Sequence, residues 1–202
     1  MQKYVNPKIL FVTTPIRPEP TVFPPIGSLS VMSALKRAGF DNTHFYNIDL
    51  LRPGYSQVIA HIKDENPEIL AISAVVSTAY EFTKKLSLDL KKNLPGITII
   101  MGGNLGASAE VLLHKTGIDF ICTGEGERTM VDFVNCWRGA KDKKDFEKVH
   151  GLAFFNEGKN LTVTPYAKSL EAHQVYDIDW SILEDLGQMG FFVAPKESSP
   201  LY

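Results

Sequence analysis

Five short apolar runs, separated by stretches long enough for helices, constrain the fold of this chain more than any other feature. The runs are rich in β-branched residues and apolar at consecutive positions, which is typical of strands covered on both faces. They occupy residues 8–14, 43–48, 68–73, 97–101 and 118–122. Strands joined by helical crossovers predict a parallel sheet. We therefore expect an α/β fold, a flavodoxin-like (Rossmann-like) doubly wound sheet of five parallel strands.

The segments around these runs have the periodicity of amphipathic helices. Residues 15–25, between the first strand and the first helix, are rich in proline and predict a loop, called the Pro-rich loop below. The predicted helices cover residues 26–38, 57–65, 80–93, 107–114 and 127–137.

The character of the chain changes after Gly139. Residues 141–145 alternate in charge and predict a solvated connector. Two further apolar segments, at 151–155 and 160–164, flank a turn that contains asparagine and glycine. This pattern predicts a β-hairpin.

We therefore divide the chain into a Rossmann-like domain, residues 1–140, and a hairpin with a linker, residues 141–202, with a disordered end near residues 197–200. A formal charge of −2 without a basic stripe predicts no nucleic-acid partner. No apolar run approaches the roughly 18 residues of a membrane span, so we expect no membrane partner. The first residues lack a signal-peptide pattern, which predicts a cytoplasmic protein.

The chain has two cysteines, Cys122 in a predicted strand and Cys136 in a predicted helix. Two thiols cannot complete a structural zinc or iron–sulfur site by themselves. A disulfide is not expected in a reducing compartment. We interpret both residues as packing residues.

Glycine-rich turns follow two of the predicted strands. Gly102-Gly103 ends the fourth strand, and Gly124-Glu125-Gly126-Glu127-Arg128-Thr129 follows the fifth. Such turns expose backbone N–H groups at the carboxyl edge of a parallel sheet, where α/β proteins bind ligands. Taken singly, each motif has a structural alternative, because the glycines suit a tight turn and the glutamates complement a helix dipole.

Several short motifs follow one another at the ends of the predicted elements. They are Phe23-Pro24-Pro25-Ile26-Gly27, Lys36-Arg37-Ala38-Gly39-Phe40, Asn47-Ile48-Asp49, residues 67–73, Gly102-Gly103 and residues 124–129. In order and spacing, over roughly residues 8–137, they resemble the N-terminal cobalamin-binding domain of cobalamin-dependent radical SAM enzymes. Residues 150–154 and 177–180 look like the linker that joins such a domain to the radical SAM barrel.

The resemblance implies that cobalamin lies across the carboxyl edge of the sheet, with its nucleotide tail inserted between strands and helices. Ser73 would line the tail slot, Gly102 and Gly103 would let the backbone approach the ligand, and residues 75–78 would face the corrin. The turn at residues 124–129 would supply N–H donors. The implied cofactor-binding residues are Pro24, Ile26, Gly27, Ser73, Val75, Val76, Ser77, Thr78, Gly102, Gly103, Asn104, Leu105, Gly124, Glu125, Gly126, Glu127 and Thr129.

The chain departs from the pattern of methionine-synthase-like domains, in which the histidine of Asp-x-His-x-x-Gly ligates cobalt from below. Aligned on Gly27, this chain has Val22 and Pro24 at the aspartate and histidine positions. The resemblance therefore implies cobalamin bound base-off without a protein histidine ligand. We interpret the other candidates, His44, His61 and His114, as surface or packing residues.

A radical SAM enzyme also needs the cluster motif Cys-x-x-x-Cys-x-x-Cys, which is absent from this sequence. We therefore expect a 4Fe-4S cluster and S-adenosylmethionine only in a separate barrel, present in cis or in trans. The expected function is that of a cobalamin-binding module of a radical SAM enzyme that transfers a methyl group to an unreactive centre, and the chain is expected to be a fragment of it. The alternative is a docking domain that keeps the fold but binds no cobalamin, or binds another phosphate-bearing ligand.

Overall fold

A mixed sheet forms the centre of the computed structural model, which describes residues 6–175 and 177–192. Within this part of the chain the sheet has seven strands in the order β2-β1-β3-β4-β5-β6-β7. The strands are β1 (Ile9–Thr13), β2 (Thr43–Tyr46), β3 (Ile69–Ser73), β4 (Thr98–Gly102), β5 (Phe120–Cys122), β6 (Leu152–Phe155) and β7 (Leu161–Val163).

Helices follow each of the first five strands. They are α1 (Ile26–Arg37), α2 (Ile48–Leu51), α3 (Tyr55–Glu65), α4 (Tyr80–Asn93), α5 (Ala109–Lys115) and α6 (Gly126–Trp137), and two short helices, α7 (Ala172–Val175) and α8 (Ser181–Asp185), lie near the C-terminus. None of the helices in the described part of the chain has the length and apolar character needed to cross a bilayer.

The first five strands are parallel, in the order 2-1-3-4-5 of a flavodoxin-like fold. The predicted doubly wound sheet is therefore confirmed. Because β1 lies between β2 and β3, the connections leave it on opposite faces, and a crevice forms at the carboxyl ends of β1 and β3.

Both faces of the sheet are covered, as the continuous apolar runs predicted. On one face Ile9 and Phe11 of β1 pack with Leu29 of α1 and Phe133 of α6. On the other face the alternate residues of the same strand pack against α3, α4 and α5. The α1–α6 layer is the one that borders the crevice described below.

The predicted hairpin is also present, but its position was not predicted. Strand β6 pairs antiparallel with β5, with Phe120 opposite Phe154, and β7 pairs antiparallel with β6. The hairpin therefore extends the sheet of the first domain and buries Phe154 completely. The division of the chain near residue 140 remains a prediction about its domain organisation.

The segment after the hairpin is packed against α1. Residues 177–192, called the C-terminal strap below, make an ion pair between Lys36 and Asp179 of 2.5 Å, and the Asp179 N–H donates to Ser33 at 2.8 Å. Leu183 of α8 is fully buried in the same core as α1. Sequence reasoning assigned this segment to a linker, and the disordered end expected near residues 197–200 lies outside the described residues.

The packing of the C-terminal strap predicts that alanine substitutions of two of its leucines have unequal effects on the free energy of unfolding. Leu183 has no exposed surface, whereas Leu186, three residues later, is 44% exposed. We expect Leu183→Ala to lower the free energy of unfolding by about 2–5 kcal/mol because it leaves a cavity in the core. Leu186→Ala should change it by about 0.5 kcal/mol or less. Denaturant unfolding of both variants measures the difference, and equal effects would show that the strap does not pack as described.

Candidate functional site

A cavity of about 510 Å³ opens at the carboxyl ends of the parallel strands. It lies between the α1–α6 layer and the sheet face that this layer covers. The strand register explains which side chains reach it, because residues two apart in a strand share a face. Phe11, Ala71 and Ile100 form an inner row of aligned residues, and Thr13, Ser73 and Gly102 form an outer row nearer the opening.

The small size of three lining residues on β3 and β4 leaves room for the cavity. Ala71, Ser73 and Gly102 present at most a short side chain, whereas larger residues at these positions would extend into the cavity. A Cβ atom built on Gly102 meets only Cys122 Cβ, at 3.9 Å. The slot between sheet and helices therefore exists because of these particular residues.

The helical wall of the cavity is formed by residues on one face of each helix. In α1 they are Gly27, Ser28 and Val31, and in α6 they include Glu127 and Met130. Spacings of three and four residues place such positions on the same side of a helix. The wall is mainly apolar, and its polar side chains are those of Ser28 and Glu127.

Most of the residues implied by the sequence lie together around this cavity. Those that line it are Pro24, Ile26, Gly27, Ser73, Val75, Gly102, Gly103, Asn104, Gly124, Glu125, Gly126 and Glu127. They come from four separate parts of the chain, which the carboxyl ends of the strands bring together.

The other implied residues are not among those that line the cavity. Val76 and Ser77 are exposed beside the cavity, and the Thr78 hydroxyl donates to the Ile16 carbonyl at 2.9 Å. Thr129 is fully buried and its hydroxyl donates to the Glu125 carbonyl at 3.2 Å, so it is closed off from the cavity. Leu105 follows Asn104 in the 3-10 turn Asn104–Ser108, and its side chain lies outside what the structure describes.

At two of these positions the fold itself requires glycine, independently of any ligand. Gly103 has φ +98°, and a Cβ atom there would overlap the carbonyl oxygen of Ala74. A Cβ atom on Gly126 would lie 2.9 Å from Val31 Cγ2, so this glycine permits the close approach of α6 to α1. By contrast, Gly102 has neither a positive φ nor a close backbone neighbour, and it borders the cavity.

The two glutamates near the start of α6 are engaged by neighbouring segments. Glu125 accepts a hydrogen bond from the Leu170 N–H at 2.8 Å, and Glu127 accepts one from the Ser30 hydroxyl at 2.6 Å. Each carboxylate thus joins α6 to another part of the chain at the edge of the cavity.

An arginine and an aspartate hold the Pro-rich loop over the cavity. Arg52 donates to the carbonyl oxygens of Arg17 and Glu19 at 2.6 and 2.7 Å, and it pairs with Asp49 at 2.6 Å. Asp49 in turn accepts the Thr21 N–H at 3.2 Å. Sequence reasoning included Asp49 in a motif but missed Arg52, since nothing in the local pattern indicates that it reaches back to the loop.

Two hydroxyl oxygens at the cavity are buried without a hydrogen-bond partner among the described residues. They are Ser28 Oγ on α1 and Thr21 Oγ1 on the Pro-rich loop. Sequence reasoning missed both. Buried polar groups in proteins are normally hydrogen-bonded, so these two oxygens at the cavity are candidates for a bond to a ligand atom.

Both cysteines are free and buried. Cys122 lines the cavity, and burial raises the pKa of its thiol to about 11. The thiol therefore stays protonated near neutral pH and acts as part of an apolar wall. In the part of the chain that the structure describes, no group of three or more His, Cys, Asp or Glu side chains could hold a metal ion.

The five histidines all lie within the described residues, and none lines the cavity. His61 packs against Tyr46, with ring centroids 4.1 Å apart, and His114 packs against Phe155 at 4.4 Å. His44 is exposed on β2. Pro24, at the position aligned with a cobalt-ligating histidine, borders the cavity and has no side-chain donor atom.

The arrangement fits a cofactor that has a flat macrocycle and an inserted tail. The slot has mainly apolar walls and two buried hydroxyl oxygens without a partner among the described residues. Its opening is rimmed by exposed apolar residues, with Phe23 70% exposed, Val75 46% and Ile26 44%. An apolar rim of this kind suits a large flat ligand.

Comparisons with known proteins agree with this geometry. A family model described as the B12 binding domain matches residues 19–134. The chain is 28% identical over 164 residues to the anaerobic magnesium-protoporphyrin IX monomethyl ester cyclase of Synechocystis sp. and 26% identical over 165 residues to that of Cereibacter sphaeroides. Each alignment covers 80% of this chain but only 32% and 26% of the relatives, so the chain spans about a third or less of their length.

Two solved structures have a similar fold. One is the cobalamin-dependent S-adenosylmethionine radical enzyme OxsB with aqua-cobalamin bound, with a TM-score of 0.73 and 18% identity over 93% of this chain and 26% of that chain. The other is the radical S-adenosylmethionine methyltransferase TsrM from Kitasatospora setae with cobalamin and a 4Fe-4S cluster bound, with a TM-score of 0.61 and 15% identity over 82% of this chain and 30% of that chain. At these identities the likeness concerns the fold. Because the family model matches more than half of its residues, this chain belongs to the B12-binding domain family.

Proposed function

We propose that this chain binds cobalamin at the carboxyl edge of its sheet and serves as the cofactor module of a radical SAM enzyme. The observation that carries the proposal is the slot beside Ala71, Ser73 and Gly102, which opens at an apolar rim. A docking domain has no need of such a slot, whereas a cofactor with an inserted tail requires one. Bound cobalamin would supply a cobalt ion that can carry and hand on a methyl group.

The tail would lie between the sheet and the α1–α6 layer, along the two aligned rows of strand residues. Ser73 would offer its hydroxyl to the tail, and Gly102 would leave the space that the tail fills. The corrin would rest on the rim formed by Phe23, Ile26 and Val75. Residues 76–78, which follow Val75, would border the same macrocycle.

The lower face of the corrin would meet Pro24 in place of a histidine. Proline has no side-chain atom that can ligate cobalt, and none of the histidines lines the cavity. With the nucleotide base held in the slot, neither the base nor an imidazole would ligate cobalt from below. We therefore propose that the cofactor is bound base-off without a protein nitrogen ligand.

The radical chemistry would belong to another domain. The sequence has two cysteines, and a site-differentiated 4Fe-4S cluster needs three thiolates. Both relatives with solved structures named above are longer, and TsrM was solved with its cluster. We propose that a radical SAM barrel, in cis or in trans, faces the corrin and that the complete enzyme transfers a methyl group to an unreactive centre.

Filling the slot should abolish cofactor retention. Gly102→Leu places a side chain in the cavity without backbone strain, because Gly102 has an ordinary φ and open space around it. We expect its affinity for hydroxocobalamin to fall at least about tenfold, or about 1.4 kcal/mol. The measurement is absorbance of bound corrinoid after anaerobic reconstitution and desalting, followed by a titration of each variant.

The matched control is Gly96→Leu, which introduces the same side chain. Gly96 precedes β4 at the opposite edge of the sheet, and a Cβ atom there meets nothing within 4 Å. This variant should bind hydroxocobalamin as the parent chain does. If the folded parent chain retains no corrinoid, the docking alternative, or a different phosphate-bearing ligand at the same edge, would replace the cobalamin proposal.

The proposed ligation predicts a spectrum that does not depend on histidine protonation. Histidine is the side chain that normally changes charge between about pH 5 and pH 8. Since no imidazole would ligate cobalt, the absorbance spectrum of bound methylcobalamin, whose upper methyl ligand does not ionise, should be base-off and unchanged across this range. A base-on spectrum, or a spectral transition near the ordinary histidine pKa, would contradict the proposed ligation while leaving cobalamin binding intact.

A further inference from the structure

Three serines of α1 are buried, and they differ in how their hydroxyls are satisfied. Ser28, Ser30 and Ser33 are 5%, 4% and 1% exposed. The Ser33 hydroxyl donates to the Leu29 carbonyl one turn earlier at 2.7 Å, and the Ser30 hydroxyl donates to Glu127 at 2.6 Å. Ser28 Oγ has no partner among the described residues. Ser33 thus bonds within α1 and Ser30 bonds to α6, whereas Ser28 makes no hydroxyl bond among the described residues.

Ser28 lies in the first turn of α1 and lines the cavity. No side chain caps the N-terminus of this helix, and its first turn contains no acidic residue. First-turn N–H groups and a helix dipole favour oxygen atoms of a ligand. A second unpaired oxygen, Thr21 Oγ1, borders the same cavity.

The unpaired hydroxyl of Ser28 lowers the stability of the folded, ligand-free chain. Leaving a buried polar group without a hydrogen bond destabilises a protein, whereas alanine at this helical position would carry no such penalty. Groups that lower stability in this way are common where a protein binds something. Ser28 lines the cavity in which the inserted part of the ligand would lie, so an atom of that part is the partner considered for its hydroxyl.

We propose that Ser28 is a specificity-determining residue whose hydroxyl donates a hydrogen bond to an oxygen or nitrogen atom of the nucleotide tail, so that the chain selects corrinoids that carry a tail. This inference rests on the proposed function. Ser28 belonged to none of the sequence motifs, because it directly follows the motif that ends at Gly27.

The test compares hydroxocobalamin with cobinamide, a corrinoid that lacks the nucleotide tail. Ser28→Ala should bind hydroxocobalamin about tenfold more weakly, or about 1.4 kcal/mol. Its affinity for cobinamide should stay within about twofold of that of the parent chain, because the hydrogen bond is absent from that complex. Ser28→Thr, which keeps a hydroxyl, should recover most of the affinity for hydroxocobalamin. Titrations followed by absorbance give all these dissociation constants.

Thermal unfolding of the ligand-free variants provides a second readout. Ser28→Ala should unfold at a temperature equal to or above that of the parent chain, because it removes an unpaired buried hydroxyl. The matched control, Ser33→Ala, loses the bonds to Leu29 and to the Asp179 N–H. This control should unfold at a lower temperature and keep the parent preference for hydroxocobalamin over cobinamide.

Separate outcomes would overturn the two proposals. A folded parent chain that binds neither corrinoid would overturn the proposed function and this inference with it. A parent chain that binds hydroxocobalamin, with unchanged affinity in Ser28→Ala, would overturn the role of Ser28 alone. Equal losses for both corrinoids in Ser28→Ala, together with a lower unfolding temperature, would assign Ser28 a structural role and also overturn the inference.

Discussion

The parallel register of β1, β3 and β4 is the constraint on which the rest of the structure depends. It places Thr13, Ser73 and Gly102 side by side at the end of the sheet, with the inner row two residues deeper. Small residues at these aligned positions open a slot under α1 and α6. A shift of one residue in any of these strands would turn its small residues to the other face and close the slot.

Contacts distant in sequence keep the mouth of the slot in place. Arg52 and Asp49 hold the Pro-rich loop by bonds to its backbone, and Thr78 joins that loop to the segment after β3. On the outer side of α1 the C-terminal strap packs Leu183 into the core. The site thus has a floor in the sheet and a rim fastened at several points, which suits the binding of a large cofactor.

The secondary structure and most of the rim could be predicted from the sequence, because strand and helix periodicity and glycine turns are local signals. The predictions for Gly103 and Thr129 show what local sequence patterns could not determine. Gly103 is required by the neighbouring Ala74 backbone, and Thr129 points into the core beside Gly151. Both residues stand in motifs at the correct sheet edge, but the direction of each group depends on what packs against it.

The sequence by itself determined the order of strands and helices, the sheet edge at which the cavity-lining motifs gather, and the absence of a histidine at the position of Pro24. Only the tertiary structure decided that the hairpin would extend the sheet beside β5, that Arg52 would hold the loop, and that Ser28 would face the cavity unpaired. The physical reason is that backbone periodicity is set by neighbouring residues, whereas register, helix approach and hydrogen-bond partners arise from packing between distant segments.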